Sequence, residues 1–338
     1  MDITVLGAGT WGVALAALLS KNGHRVTVWS ALPQEIEALQ KTNTHPNLPG
    51  AELPQDIAYT AALDEAVAGR KIVLFVVPSQ FVRATAERVS PFLAEGAILV
   101  NAAKGIERRS LLTMTEIMGE VLGRLRPDTR FSYVALSGPT HAEEVAQGQP
   151  TSIVSACEDE AVSLQVARLF FNSCMRVYTN TDVRGVELCG ALKNIIAIAA
   201  GINRGMGFGD NAQAMLMTRG ISEMTRIGLK MGCRRRTFMG LAGIGDLIVT
   251  CTSVHSRNNR CGELIGRGMS YAKASREIGM VVEGYHALEA AMELSAHYGV
   301  EMPITAAVYA VIKEGRAPSD AMRELMSRDI KSELEQLD

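Results

Sequence analysis

The sequence predicts an α/β N-terminal domain with a doubly wound sheet, followed by an all-helical C-terminal domain. Three observations support this prediction. Short β-branched runs alternate with helical patterns up to about residue 180, a glycine-rich turn follows the first run, and the strand signal fades after about 180. At 338 residues the chain is longer than one core usually supports. We therefore expect two domains, covering residues 1–182 and 183–338.

Five runs are strand candidates in the first domain: 3–7, 25–29, 71–77, 97–102 and 131–138. The segments between them, such as "GVALAALLSKNG", place apolar residues at helical spacing. This alternation indicates a parallel sheet with helices on both faces. The runs 151–156 and 175–180 are expected to complete that sheet. In the second domain, glycine-rich hinges such as "GINRGMGFGDN" separate four or more long helical patterns.

Composition and charge narrow the class of protein. The net charge is −2, with 47% hydrophobic and 21% charged residues, so no overall basic field favours nucleic acid or an anionic membrane. Neither a CxxC pair nor metal-ligand spacing occurs among the six cysteines and six histidines. Free thiols, no metal site and a reducing compartment are expected. The first residues lack the basic segment of a signal peptide. These features predict a cytoplasmic protein without membrane insertion.

The turn after the first strand, "VLGAGTWG", carries Gly7, Gly9 and Gly12 as a GxGxxG motif that opens a helix. The first glycine permits a tight turn, the second lets a pyrophosphate approach the backbone, and the third lets helix and strand pack closely. The free N–H groups of the helix start would bind the phosphates. Strand, turn and helix together predict a Rossmann-type dinucleotide site.

The end of the second strand leaves the choice of dinucleotide open. "VTVWSALPQE" offers Ser30 and Ala31 where an Asp or Glu would hold a ribose 2′-hydroxyl, and no Arg marks a 2′-phosphate. We therefore expect either NAD or NADP. Arg25 and Lys41 are candidate cations for a 2′-phosphate.

Three further loops follow strands of the same sheet: "VVPSQ", "NAAKG" and "SGPTHAEE". In a parallel sheet such loops emerge at one carboxyl edge, which places Lys104 beside the nicotinamide end of a bound dinucleotide. Taken alone, a solvated loop lysine is an equal alternative for Lys104. His141 could be a base, although its acidic neighbours favour a surface helix start.

In the helical domain, "GALKNIIAIAAGI" places Lys193 among small and aliphatic residues. The positions three and four away carry no charge, and a lysine that extends to solvent is an alternative reading. Asp246 follows a glycine-broken turn, and Ser256-Arg257-Asn258 stand at an expected helix start. A serine cap, free N–H groups and a forked guanidinium suit a phosphate. His255 is expected to be a bystander.

These motifs occur in family order along essentially the whole chain, from "GAGTWG", "VVPS", "AKGIE" and "SGPTHAEE" to "GFGDNAQA", "GIGDLIVTC", "SRNN", "VVEG" and "GVEMPI". The sequence closely resembles bacterial NAD(P)-dependent glycerol-3-phosphate dehydrogenases. This resemblance implies a Rossmann domain, a helical domain, a homodimer and reduction of dihydroxyacetone phosphate. One departure is "WSALPQE", where many relatives carry a basic residue.

The resemblance also implies a role for each site residue. Lys193 would be the acid/base, with a pKa lowered by burial and neighbouring cations. Asp246 would orient it, and Lys104 would complete the catalytic set. The expected substrate-binding residues are Lys104, Gly138, Thr140, Lys193, Asn194, Asp246, Thr250, Ser256, Arg257 and Asn258. The expected cofactor-binding residues are Gly7, Gly9, Thr10, Trp11, Gly12, Pro78, Lys104, Ala142, Arg257, Val281 and Glu283.

Two alternatives remain at this stage. A ketopantoate or hydroxyisobutyrate reductase shares the architecture and a helix lysine, but it does not need "SRN" for a phosphate. A redox sensor that binds dinucleotide without turnover would not need a proton-transfer group. For the cofactor, the resemblance favours use of both dinucleotides with NADPH modestly preferred.

Overall fold

The computed structural model describes residues 1–330 and 332. The chain forms two compact units, the first from residues 1–104 and 114–183, the second from 105–113 and from 184 onward. The segment 105–113 differs from the division expected from the sequence, because it joins the helical unit. Its Ile106 is buried in the core of that unit. Lys104 is thus the last residue of the first unit before this segment.

The first unit contains eight strands, seven α-helices and two short 3₁₀ helices. The strands are β1 (Asp2–Leu6), β2 (Arg25–Trp29), β3 (Ala58–Thr60), β4 (Ile72–Phe75), β5 (Ile98–Asn101), β6 (Ser132–Ser137), β7 (Thr151–Ala156) and β8 (Met175–Asn180). The helices are α1 (Thr10–Lys21), α2 (Pro33–Thr42), α3 (Leu63–Val67), α4 (Val82–Val89), α5 (Met114–Leu125), α6 (Ala142–Ala146) and α7 (Glu160–Phe170).

The strands form one sheet in the order β3-β2-β1-β4-β5-β6-β7-β8. All neighbouring pairs are parallel except β6 and β7. The sequence predicts a parallel sheet, and the β6–β7 pair is the exception to it. The intervening helix α6 has five residues and rises only about 7 Å, whereas a six-residue strand spans about 20 Å. The chain therefore turns back at the same edge instead of crossing over.

Alternate residues of each strand face opposite helical layers. Val5, Val28 and Leu74 belong to one core cluster with α1, α2, α6 and α7. On the other face, Trp29 Nε1 donates to the Ala61 carbonyl just before α3 at 3.1 Å. Thr4 Oγ1 donates to the Ala66 carbonyl in α3. This two-layer cover is the doubly wound arrangement, and it leaves the carboxyl edge of the parallel strands to the loops.

In segment 105–113 of the second unit, Ile106 and Thr113 form an isolated antiparallel β-bridge. The secondary structure of its other described residues is helical, with α8 (Val183–Gly205), α9 (Asp210–Lys230), α10 (Arg235–Phe238), α11 (Asp246–Thr252), α12 (Arg257–Gly266), α13 (Tyr271–Ile278), α14 (Glu283–Tyr298), α15 (Pro303–Lys313) and α16 (Pro318–Met326). A single π-turn, 241–245, precedes α11. By length and composition alone, α8 is long and apolar enough to cross a membrane. The segments Arg235–Thr252 and Arg257–Gly266, which are bent by 49° relative to each other, meet the same criterion only if they are taken together as one span. Burial of 94% of the apolar window of α8 marks it as a core helix.

Glycines bring two other helices onto the backbone of α8. A Cβ on Gly201 would lie 1.9 Å from the Asn259 carbonyl oxygen, and one on Gly262 would lie 2.1 Å from the Ile198 carbonyl oxygen. A Cβ on Gly284 would lie 2.6 Å from the Asn194 carbonyl oxygen. Only glycine permits such approaches, so α12 and α14 start close to the part of α8 that carries Lys193.

Candidate active site

The glycine-rich loop has the geometry of a dinucleotide site. Gly7 has φ 124°, and a Cβ there would lie 2.7 Å from the Val76 carbonyl oxygen. A Cβ on Gly12 would lie 1.9 Å from the Gly7 carbonyl oxygen, whereas one on Gly9 would meet nothing within 4 Å. The first and third glycines are therefore required by packing, and the second faces open space. This is the distribution that a pyrophosphate against the loop requires.

The start of α1 supports the same fit. Gly9 is its N-cap and supplies no side chain to cap the first N–H groups. Thr10 Oγ1 is buried and has no hydrogen-bond partner among the described residues. Trp11 is half-buried in the first turn. A phosphate at this helix start would accept hydrogen bonds from the first backbone N–H groups of α1 and from the Thr10 hydroxyl.

The loops after β4, β5 and β6 carry the remaining predicted residues of this unit. Lys104 is half-buried, and its Nζ lies 3.5 Å from the Gly138 carbonyl oxygen. That oxygen also accepts a hydrogen bond from Thr140 Oγ1 at 3.1 Å. The structure thus brings Lys104, Gly138 and Thr140 together. Pro78 is half-buried after β4, and Ala142 is the first residue of α6, which packs on α1.

In the second unit Lys193 is buried with a charged partner from another helix. Lys193 is 5% exposed and Asp246 is 1% exposed. The ammonium group donates hydrogen bonds to the Asp246 carboxylate and, at 2.6 Å, to Thr250 Oγ1. Thr250 Oγ1 in turn donates to the Asp246 carbonyl at 2.6 Å. Lys193 has no charged residue three or four positions away on its own helix, and its charged partner is Asp246, 53 residues later in the chain.

The Ser256-Arg257-Asn258 segment is a capped helix start, as the sequence predicts. Ser256 Oγ accepts the Asn259 N–H at 3.2 Å, which makes Ser256 the N-cap of α12. Arg257 is the first helical residue and is half-buried. The helix begins with a cation, and its first-turn N–H groups point toward its N-terminus. Both features suit a phosphate group.

The two predicted asparagines bind each other. Asn258 Nδ2 donates to Asn194 Oδ1 at 3.1 Å, and Asn258 Oδ1 accepts the Gly284 N–H at 2.9 Å. Asn194 Nδ2 lies 3.4 Å from the Gly190 carbonyl oxygen. These bonds join α8, α12 and the start of α14. Part of the hydrogen-bonding capacity of both amides is therefore used to hold the three helices in register.

A second polar network was missed by reasoning from the sequence. The Cys251 carbonyl oxygen accepts hydrogen bonds from Asn259 Nδ2 at 2.8 Å, Gln213 Nε2 at 3.3 Å and Arg204 at 3.4 Å. Arg204 also donates to Asn259 Oδ1 at 3.1 Å. These bonds fix the last turn of α11, the helix that carries Asp246 and Thr250. A run of polar residues on both sides of the cluster, "GDNAQ" and "SRNN", was the only signal in the sequence.

Four other residues that the sequence singled out have simpler positions. Val281 lies just before α14 and Glu283 is its first residue, and both are half-buried. His255 is exposed, which agrees with a bystander role. His141 is the N-cap residue of α6. Val281 and Glu283, like Arg257, belong to the second unit, so their contact with a cofactor remains a prediction.

A dinucleotide loop on a doubly wound sheet, with a helical unit that buries a lysine against a carboxylate, defines a two-domain NAD(P)-dependent dehydrogenase. Sequence profiles narrow this class. The profile of the NAD-dependent glycerol-3-phosphate dehydrogenase N-terminus matches residues 2–163, and that of the C-terminus matches 182–323. The chain belongs to the NAD-dependent glycerol-3-phosphate dehydrogenase family, which confirms the resemblance stated above.

Individual relatives agree with the profiles. Glycerol-3-phosphate dehydrogenase [NAD(P)+] 2 of Lactobacillus delbrueckii subsp. bulgaricus is 54% identical and matches over 98% of each chain. The crystal structure of glycerol-3-phosphate dehydrogenase from Coxiella burnetii has a TM-score of 0.92 at 34% identity, covering 97% of this chain and 99% of that one. A ketopantoate reductase from Ralstonia eutropha shares the fold at 17% identity, with a TM-score of 0.62 over 95% and 100% of the two chains.

Proposed function

We propose that this protein catalyses reversible hydride transfer between NAD(P)H and dihydroxyacetone phosphate, giving sn-glycerol 3-phosphate for glycerophospholipid synthesis. The observation that carries the proposal is the buried Lys193–Asp246–Thr250 cluster, together with the capped α12 start that bears Arg257. The family to which the chain belongs and the names of its relatives support the same substrate. When bound, the nicotinamide supplies or accepts the hydride at C2 of the substrate.

Lys193 is the proton-transfer group in this proposal. In reduction its ammonium donates a proton to the C2 oxygen, and in oxidation the neutral amine accepts the proton from the C2 hydroxyl. Asp246 offsets the cost of burying the ammonium, which is several kcal/mol for an unpaired ion. Thr250 accepts a second hydrogen bond from Nζ at 2.6 Å. Asp246 and Thr250 together fix the position of the Lys193 ammonium for proton transfer.

The substrate phosphate binds at the start of α12. The first-turn N–H groups, the half-buried Arg257 guanidinium and the Ser256 cap supply donors and positive charge there. Asn194 and Asn258 line this region from α8 and α12. Binding energy from the phosphate, which does not react, positions the C2 carbon and so contributes to rate as well as to affinity.

The first unit holds the dinucleotide through Gly7, Gly9, Thr10, Trp11 and Gly12. Lys104, Gly138 and Thr140 contribute to the substrate pocket from the sheet edge, and Lys104 serves the cofactor as well. Pro78 and Ala142, with Arg257, Val281 and Glu283 of the second unit, complete the set proposed to contact the cofactor. The family resemblance supports a homodimer in the cytoplasm. Sedimentation equilibrium of the purified protein tests the dimer.

One assay tests the function directly. Oxidation of NADH and of NADPH is followed with dihydroxyacetone phosphate, with unphosphorylated dihydroxyacetone and with ketopantoate. We expect turnover with the phosphorylated ketone and little with the other two. Turnover with ketopantoate alone would favour the reductase alternative, whose fold this chain shares. Dinucleotide binding without turnover of any substrate would favour the sensor alternative.

A further inference from the structure

The carboxyl end of β2 carries an acidic group that is not visible at the expected sequence position. Ser30, the residue after β2, is 5% exposed and donates a hydrogen bond from Oγ to Glu35 Oε2 at 2.6 Å. Ser30 Oγ also accepts the Leu32 N–H at 3.1 Å. Both bonds fix the serine hydroxyl, so Glu35, in the first turn of α2, is held against the end of β2.

This carboxylate lies close to the dinucleotide loop. The Gly7 N–H donates to the Trp29 carbonyl at 2.8 Å, which joins the loop to the last residue of β2. Ser30 follows directly. In Rossmann-type sheets the adenosine ribose lies at this end of the second strand, where an acidic side chain accepts hydrogen bonds from the ribose hydroxyls. Glu35 reaches that place from α2 instead of from the strand end itself.

The surrounding charges leave the site anionic. Arg25 lies at the opposite end of β2, about 13 Å away by strand rise, and its guanidinium binds Asp2. Lys41 is in the last turn of α2, about 9 Å from Glu35 along the helix. Arg88 lies 5.3 Å from the Trp29 ring centroid, on the face covered by α3 and α4. Among residues 1–330 and 332, no lysine or arginine forms an ion pair with Glu35.

One histidine faces the same carboxylate. Burial lowers the pKa of His45, while the nearby Glu35 and a hydrogen bond to the Ala8 backbone act in the opposite direction. The Asn47 N–H donates to His45 Nδ1 at 3.2 Å, which requires that nitrogen to be unprotonated. Burial and this hydrogen bond both favour the neutral imidazole, which does not cancel the charge of Glu35.

We propose that Glu35, positioned by Ser30, accepts hydrogen bonds from the adenosine ribose hydroxyls and selects NADH over NADPH. A 2′-phosphate would place negative charge against an uncompensated carboxylate, whereas a 2′-hydroxyl would donate to it. This reverses the modest NADPH preference expected from the resemblance, while both cofactors remain usable. The inference rests on the dinucleotide binding of the proposed function, but not on the identity of the substrate.

Calorimetric titration without substrate tests the inference. ADP-ribose and 2′-phospho-ADP-ribose are titrated into the wild-type protein, Glu35→Gln, Ser30→Ala and Glu37→Gln. Glu37 is exposed and lies about 200° around α2 from Glu35, so it is a matched control. We expect wild type to bind ADP-ribose about tenfold or more tightly than its 2′-phosphorylated form. The Glu35→Gln ratio should fall to about threefold or less.

The outcomes separate the two proposals. Ser30→Ala should fall between wild type and Glu35→Gln, because it releases the carboxylate without removing it, and Glu37→Gln should match wild type. An unchanged ratio in Glu35→Gln, or tighter wild-type binding of the 2′-phosphorylated ligand, overturns the role of Glu35 alone. Failure of wild type to bind either ligand overturns dinucleotide binding itself, and with it the proposed function.

Discussion

The two units build their sites in different ways. The proposed dinucleotide site of the first unit consists mainly of backbone, with Gly7 and Gly12 required by packing and Gly9 facing open space. The proposed proton-transfer site of the second unit consists of side chains from separate helices, with Lys193 on α8 and Asp246 and Thr250 on α11. The site built from backbone depends on close packing and contains few ionisable groups. The side-chain site depends on buried charges whose pairing must be complete.

The largest expected effect is the removal of one charge from the buried pair. Asp246→Asn leaves the Lys193 ammonium without its carboxylate, so we expect a loss of about 3–5 kcal/mol in the free energy of unfolding. The exposed Asp64 provides the control Asp64→Asn, which should change little. Urea unfolding measures both.

The double variant Lys193→Met with Asp246→Leu sharpens this prediction. It replaces both charges by apolar groups of similar size, so stability should return toward wild type while turnover stays lost. Equal stability of Asp246→Asn and wild type would contradict a buried ion pair between Lys193 and Asp246.

A second prediction concerns pH and a carboxyl group elsewhere in the helical unit. Burial raises the pKa of Glu223 to about 7, although N–H groups of Ile304 and Thr305 at the start of α15 act to lower it. Its pKa thus exceeds the ordinary value of 4.5. The folded state then binds the proton more tightly, so this group stabilises most below pH 4.5, and the contribution is lost as pH rises through 7.

The measurement is the free energy of unfolding of wild type and Glu223→Gln from pH 5 to 8. We expect the wild-type value to fall relative to the variant by on the order of 1–3 kcal/mol over this range. Glu263→Gln, at an exposed ion pair with Arg267, is the control. Parallel curves for wild type and Glu223→Gln would show that Glu223 does not titrate in this window.

A third prediction concerns the phosphate. Arg257→Lys keeps the charge but loses the forked guanidinium, so kcat/KM for dihydroxyacetone phosphate should fall about 10–100-fold. The weak activity with dihydroxyacetone should change little. Arg260→Lys, three residues later and exposed on the same helix, is the control. An equal loss with both substrates would assign Arg257 a role other than binding the phosphate.

The smallest expected effects concern Gly9 and Gly12 of the glycine-rich loop, whose substitutions should change different properties. Gly12→Ala forces a Cβ against the Gly7 carbonyl, so we expect a loss of roughly 1–3 kcal/mol in stability. Gly9→Ala has space in the protein and should leave stability within about 0.5 kcal/mol of wild type while weakening ADP-ribose binding. Thermal unfolding and calorimetric titration measure the two properties. Similar destabilisation by both substitutions would contradict the assignment of Gly9 to the ligand face.

The same contrast explains what the sequence could predict. The GxGxxG turn works through local geometry, and its context of strand and helix was visible within a dozen residues. Seven of the eight strands were also visible as apolar runs. The remaining strand, β3, has only three residues, none of them fully buried, so it lacks the pattern that marks a strand. The antiparallel β7 depends on the length of α6, which the composition of that segment did not reveal.

The side-chain site was harder to predict because its members are far apart in the chain. Lys193 and Asp246 were paired only through the family resemblance, since no local pattern joins residues 53 positions apart. Arg204, Gln213 and Asn259 converge on a main-chain carbonyl, an acceptor that the sequence does not distinguish from any other. Glu35 was missed for a related reason, because its carboxylate lies on the next helix and accepts a hydrogen bond from Ser30 at the end of the strand.

In the proposed mechanism the first unit binds the cofactor and Lys193 of the second unit transfers the proton. Lys193→Met tests it most directly, with kcat measured with dihydroxyacetone phosphate and the dissociation constant for NADH measured on the same preparation. Lys273→Met, at an exposed lysine of α13, is the control. We predict that kcat falls about 10²–10⁴-fold while the dissociation constant for NADH stays within about threefold of wild type. Near wild-type kcat in Lys193→Met would contradict proton transfer by Lys193.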